Sequence, residues 1–201
     1  DKVQEPKAAP LVRGQKIHKL AEDYVKAQAP GRMPKELAQF TREFNQLRED
    51  GGVAEQQWAF DKSWAPSDWF GPTTWVRVVA DAHYFRYNAE GEATTLVVVD
   101  YKTGKKKGDG AYEDQLELYA TAGFCTFEVS TVVVELWFLD SGDIVADEYQ
   151  EREVPASKKR WAKRAGRMLR DVTFAATPNF ACRWCAFNAT KGGPCEEGRT
   201  A

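Results

Sequence analysis

Apolar positions along this chain change period several times, and each change marks an element. Ile17, Leu20, Ala21, Tyr24 and Val25 recur every three or four residues, which predicts a helix over 14–29 with His18 on the edge of its apolar stripe. The stretch Pro30-Gly31-Arg32-Met33-Pro34 breaks the chain, and a second helix runs to about Glu49, ended by Asp50-Gly51-Gly52. Runs rich in β-branched and aromatic residues then predict strands near 53–60, over 73–87 and over 95–102, the last two flanking the turn-prone Asn88-Ala89-Glu90-Gly91-Glu92. Ala111–Phe124 predicts a helix, TVVVELWFL over 131–139 a buried strand, and Ser141-Gly142-Asp143 a turn into a short partner strand. Strands alternating with helices after a hairpin predict an α/β fold, a mixed central sheet flanked by helices.

A hairpin centred near Glu90 and Gly91 sets Asp81 opposite Asp100, within one residue of register. Side chains two apart on a strand share a face, so Lys102 joins Asp100. Two adjacent carboxylates stay ionised together only with a cation between them, which a hard divalent ion such as Mg²⁺ supplies. Such an ion lowers the pKa of a water and stabilises charge on a phosphoryl oxygen, while a nearby lysine orients that water. In the following helix Gln115 and Tyr119 stand four apart on one face, an amide and a phenol suited to hydrogen-bonding a phosphate or a terminal nucleotide.

These segments resemble the PD-(D/E)XK nuclease superfamily and its RecB-like exonuclease branch. Asp81 corresponds to the first acidic residue, with Ala80 where proline is usual, and Asp100-Tyr101-Lys102 to the (D/E)XK. Gly14-Gln15-Lys16-Ile17-His18 looks like the branch's helical histidine element, Asp114–Ala120 matches its Q-x-x-x-Y helix, and Thr103-Gly104-Lys105 completes a D-Y-K-T-G-K string. The resemblance covers residues 14 to 195. It implies Mg²⁺ or Mn²⁺ held by His18, Asp81, Asp100 and the Tyr101 carbonyl, with catalysis by Asp81, Asp100 and Lys102 and substrate positioning by Gln115 and Tyr119. It further implies DNA as substrate, exonuclease action, a recombination, repair or phage DNA-processing setting, and a recombination or helicase partner protein. The rival expectation is a non-catalytic DNA-binding or assembly module that keeps the fold.

At 201 residues, with 43% hydrophobic and 29% charged, the chain suits one compact domain over 1–201 with a cysteine knuckle from about 180. No apolar run is long enough to span a bilayer and no hydrophobic leader opens the sequence, so a cytoplasmic location is expected. A net charge of −2 confines DNA binding to a local patch. Residues 157–171 offer one: Trp161, Ala165, Met168, Leu169 and Val172 recur at helical spacing opposite Lys158, Lys159, Arg160, Lys163, Arg164, Arg167 and Arg170. Lys159, Lys163 and Arg167 are the expected phosphate contacts, extended toward the hairpin by Lys105, Lys106 and Lys107. Trp58, Phe60, Trp64, Trp69, Phe70 and Trp75 cluster before the hairpin, mostly as core, with stacking on unpaired bases as the functional alternative. Glu55 lies at the start of that region with its part in metal binding open.

Cys182 and Cys185 form a C-x-x-C pair, and Cys195 follows after Gly192-Gly193-Pro194, the pattern of a metal knuckle. Some RecB-like nucleases, including the AddB type and those of CRISPR spacer acquisition, hold a [4Fe–4S] cluster on three C-terminal cysteines and one upstream. A cluster completed by Cys125 or by a residue outside this chain, a zinc site using His83, and no metal all remain open.

Overall fold

The computed structural model describes residues 8–27, 31–108 and 110–200. The predicted end of the first helix at 28–29 and Pro30 lie outside the described residues. The chain divides into two compact units: Gly14–Arg164, and the residues before Gly14 together with those from Ala165 onward.

The larger unit is built on a five-stranded sheet in the order β1-β2-β3-β4-β5, comprising Val53–Phe60, Val76–Tyr87, Ala93–Lys102, Thr131–Phe138 and Asp143–Gln150. All neighbours run antiparallel except β3 and β4, which are parallel and joined by helix α3, Glu113–Thr126. The sheet is therefore mixed and the fold α/β, as the element pattern predicts. Helix α1 begins at Ala9, earlier than its apolar stripe implies, and ends at Lys26. The predicted second helix is a 3-10 turn, Lys35–Phe40, followed by α2, Thr41–Glu49. Helix α4 is Val154–Arg170.

Strand β3 explains why its sequence is an unbroken apolar run: both of its faces are covered. Val97, Val99 and Tyr101 enter a core with Ile17, Ala21, Phe40, Phe44 and Trp137, which packs α1 and α2 on one side. Leu96 and Val98 enter a second core with Leu116, Tyr119, Ala120, Ala122 and Leu136, which packs α3 on the other. At Gly123 a Cβ would stand 2.7 Å from a Leu96 methyl, so the glycine lets α3 approach β3 without moving the Leu96 side chain. In the hairpin turn the Asn88 carboxamide oxygen accepts the Glu90 and Glu92 amides and Gly91 takes φ 81°, which closes β2 onto β3.

Most of the aromatic cluster is core, with Trp58, Phe60 and Trp64 buried, while Phe70 is exposed. His83 is 3% exposed and its ring contacts those of Trp58, Phe85 and Phe127, so it packs among aromatics. The apolar stripe of α4 also departs from expectation. It is half-buried at Trp161 and Ala165, but Met168 and Leu169 are exposed, as is Val172 just past the helix. Residues after Arg170 leave regular structure until Phe180, so no regular element follows the helix end directly.

Burial pushes the His83 imidazole down to about 4 from 6.5. The folded chain keeps this ring neutral while the unfolded chain takes up a proton, so stability is full above pH 6.5 and is lost as pH falls toward 4. Denaturant titrations of wild type and His83→Phe between pH 8 and 4 are expected to show a loss specific to wild type of order 1–3 kcal/mol. Parallel curves for the two proteins would mean that His83 does not titrate on unfolding.

Candidate active site

Backbone register brings the acidic groups together. The β2/β3 ladder runs through His83↔Val98 and Ala82↔Val99, which sets Asp81 opposite Asp100 one step further on. The ladder opens at that step because the Tyr101 amide donates to Asp81 Oδ2 at 2.6 Å. Strand alternation also breaks there: Val78 and Ala80 belong to the α3-side core, while Ala82 and Tyr84 belong to the other. This irregularity aims the Asp81 carboxylate along the gap between the strands.

Both carboxylates are nearly enclosed, Asp81 at 8% exposure and Asp100 at 6%. Asp100 Oδ1 accepts from Gln115 Nε2 at 3.0 Å and from the Tyr119 hydroxyl at 2.8 Å. The same hydroxyl lies 3.0 Å from the Val79 carbonyl, a second acceptor for its single proton. The Lys102 ammonium stands 2.6 Å from Asp100 Oδ2. That approach sets a charged donor against Oδ2, so both Asp100 oxygens have partners. Asp81 Oδ1 meets His18 Nδ1 at 3.1 Å, and the imidazole rests edge-on against Tyr101 at 5.9 Å between ring centroids.

Glu55 completes the group. One donor atom each from His18, Glu55 and Asp81 lie within 4.8 Å of one another, the only such set of three potential metal ligands among the described residues. Glu55 adopts φ 55°, a left-handed conformation rare outside glycine and costing of order 1–3 kcal/mol. Nothing in the amino-acid pattern announces that strain, which is why the sequence leaves this residue open.

Electrostatics state what the site lacks. Burial raises the Asp100 pKa, with Lys102 opposing and Asp81 adding to the rise. Burial and then the Asp81 charge raise Glu55. The Asp81 hydrogen bond raises His18 against the effect of burial. Burial is thus the main cause at Asp100 and Glu55, with the Asp81 charge adding to both, while His18 is raised chiefly by its Asp81 hydrogen bond. The Glu55 and Asp81 carboxylates with the His18 imidazole make an oxygen-rich donor set that fits a divalent cation.

The remaining candidate residues fall outside this constellation. The Tyr101 ring is buried in the α1-side core, and its amide is the group that engages Asp81. Lys105 and Lys106 lie exposed in the loop after β3, whose base is held by the Gly104 amide on Asp140 Oδ2 at 2.6 Å. On α4 the cations divide. Arg160 pairs with Glu117 and Arg164 with Asp114, both on α3, so these two arginines are packing contacts and not free phosphate ligands. Lys159, Lys163 and Arg167 form an exposed stripe at positions i, i+4 and i+8.

In the C-terminal unit Cys182, Cys185 and Cys195 are half-buried free thiols. The loop is organised by Asn188, whose side-chain amide donates to the carbonyls of Cys182 at 3.0 Å and Gly198 at 2.8 Å. A Cβ at Gly193 would fall 2.3 Å from the Phe187 carbonyl carbon, so the glycine is required for this close turn. No helix among the described residues is long and apolar enough to cross a membrane.

The model of the PD-(D/E)XK nuclease superfamily matches residues 1–190, and the chain belongs to that superfamily. A solved structure described as "Crystal structure of SSO0001" is similar at 17% identity with a TM-score of 0.42, over 88% of this chain and 77% of that one. No curated protein matches.

Glu55→Gln keeps the side-chain volume and removes a ligand charge. Mn²⁺ titration by calorimetry is expected to show affinity reduced about 10- to 100-fold, with the melting temperature no lower than wild type. Unchanged affinity would remove Glu55 from the metal site.

Proposed function

We propose that this protein is a metal-dependent deoxyribonuclease of the RecB-like exonuclease type, using Mg²⁺ or Mn²⁺ to hydrolyse phosphodiester bonds in DNA. The observation that carries the proposal is the joining of three groups at one strand end: Asp81 beside Asp100, with the Lys102 ammonium on Asp100 Oδ2 at 2.6 Å. A non-catalytic module has no need of a buried like-charge pair with an ammonium against it, since each costs stability.

His18, Glu55, Asp81, Asp100 and the Tyr101 carbonyl are the groups that would hold the ion. When bound, it would acidify a water and stabilise charge on the phosphoryl oxygens. Lys102 orients the attacking water by its ammonium protons. Gln115 and Tyr119 keep the Asp100 carboxylate in one rotamer through Oδ1, and the Gln115 carboxamide keeps an oxygen and a second N–H for substrate. Attack of the water oxygen on phosphorus in line with the departing 3′-oxygen breaks the P–O3′ bond and yields a 5′-phosphate and a 3′-hydroxyl. DNA backbone contact comes from Lys159, Lys163 and Arg167, with Lys105 and Lys106 nearer the catalytic strand in sequence.

The whole chain serves this activity as one nuclease domain. A role in recombination, repair or phage DNA processing, with a helicase or recombination protein as partner, rests on the likeness of the His18, Asp81, Asp100-Tyr101-Lys102 and Gln115/Tyr119 motifs to the RecB-like branch. An iron–sulfur cluster is not part of the proposal. The knuckle supplies three thiols where such a cluster takes four.

End-labelled DNA incubated with Mg²⁺ or Mn²⁺ is expected to be shortened, and EDTA to stop the reaction. Asp100→Ala should abolish cleavage with DNA binding retained, while Lys102→Ala should keep metal binding and lose about a hundredfold in turnover. Full activity of Asp100→Ala would overturn the assignment, and loss of metal from Lys102→Ala would make that lysine structural.

Changing Lys159, Lys163 and Arg167 together to alanine should weaken binding to all DNA sequences alike and reduce the salt slope by about 0.9 per lost contact. Arg160→Ala with Arg164→Ala should instead lower thermal stability, because those side chains tie α4 to α3. The reverse pattern would exchange the roles of the two stripes.

A further inference from the structure

The loop between β1 and β2 carries a feature the metal site does not explain. Phe70 is 83% exposed, an unusual position for a large apolar ring, and it does not stand alone. The Arg77 guanidinium lies 5.2 Å from the Phe70 ring centroid and 5.6 Å from that of Trp69, a cation shared by two aromatic faces. Trp69 itself is half-buried and backs the pair.

The loop is built to hold this ring still. Asp61 Oδ1 accepts the Ser63 and Ala65 amides at 2.8 and 3.1 Å, and Phe60 bridges to Pro66. The Ser67 amide returns to the Ala59 carbonyl at 2.8 Å, and the Trp75 amide to that of Phe60 at 2.8 Å. Beside the ring, the Thr74 hydroxyl donates to the Asp68 carbonyl at 2.6 Å, with the Gly71 amide on the same carbonyl at 2.9 Å. An exposed aromatic on such a braced loop binds a flat partner at little cost in ordering.

Its place in the sheet identifies the partner. Because β2 runs antiparallel to β3, the start of β2 lies at the same sheet end as the close of β3, where Asp100 and Lys102 stand. Arg77 precedes Asp81 by four residues on one strand, a separation of about 13 Å. The exposed Phe70 ring offers a flat apolar face, which suits a base and not the charged backbone.

Resting on the nuclease reading, we propose that Phe70, backed by Arg77 and Trp69, is a stacking platform for an unpaired nucleobase of the DNA strand entering the active site. The protein therefore prefers single-stranded or frayed ends over blunt duplex.

The test uses the full chain with metal chelated and an oligothymidylate carrying one 2-aminopurine. Wild type is expected to quench the fluorophore by stacking. Phe70→Ala should lose the quench and bind the oligonucleotide about 5- to 150-fold more weakly. Phe70→Trp should restore both, and affinity for blunt duplex should be unchanged. Stacking is uncharged, so the salt slope of Phe70→Ala should equal that of wild type, unlike loss of a lysine contact. The exposed position makes folding of the variant straightforward, and its melting temperature should match wild type. Equal binding of the oligonucleotide by wild type and Phe70→Ala, with wild type still cleaving labelled DNA, would overturn the platform alone and point to a protein partner for the ring. Wild type that neither binds nor cleaves any DNA would overturn the nuclease reading and the platform with it.

Discussion

Two carboxylates buried side by side on adjacent strands set the terms for the rest of the larger unit. Enclosing one such charge costs several kcal/mol unless it is paired, and enclosing two next to each other adds their repulsion. Every element around Asp81 and Asp100 offsets part of that cost. The Tyr101 amide and His18 serve Asp81, while Gln115, Tyr119 and Lys102 serve Asp100. What remains is the raised pKa of the Asp100 and Glu55 carboxyls and the clustering of Glu55 with Asp81 and His18, which is where a divalent cation belongs in the balance.

The fold delivers those partners from both faces of one sheet. Helix α1 brings His18 by burying Ile17 and Ala21 against Val97 and Val99, so the imidazole's position follows from the packing of its neighbours. Helix α3 brings Gln115 and Tyr119 from the other side, and Gly123 permits the close approach that puts the Tyr119 hydroxyl within hydrogen-bond range of Asp100. A parallel β3–β4 pair requires a crossover, and α3 is that crossover. Local irregularity does the final aiming: the broken alternation at Asp81 and the left-handed Glu55 turn their carboxylates toward a common point instead of along the pleat.

Basic residues on α4 illustrate how one sequence stripe serves two purposes. Arg160 and Arg164 face acidic side chains on α3 and fasten the helix to the domain, a use consistent with the planar guanidinium and its affinity for carboxylates. Lys159, Lys163 and Arg167, one position round the helix, are exposed cations. The cysteine loop of the smaller unit likewise has an organising side chain of its own, since Asn188 ties the Cys182 and Gly198 carbonyls together without help from the thiols.

Much of this was legible in the amino-acid pattern because the signals are local. Period changes marked the helices and strands, and the turn at Asn88–Glu92 set a hairpin centre that predicts Asp81 opposite Asp100, as the register has it. Spacing alone placed Lys102 on the face of Asp100, and Gln115 beside Tyr119. Tertiary structure decided what depends on contacts between distant segments. It directed Gln115 and Tyr119 onto a carboxylate, enclosed His83 among aromatics, and separated the paired arginines of α4 from the exposed cations. It also left Met168 and Leu169 exposed where their spacing implied burial, because periodicity shows which residues share a face but not whether anything covers it. Glu55 is the clearest case: it takes a left-handed backbone angle within β1 that its residue type does not favour.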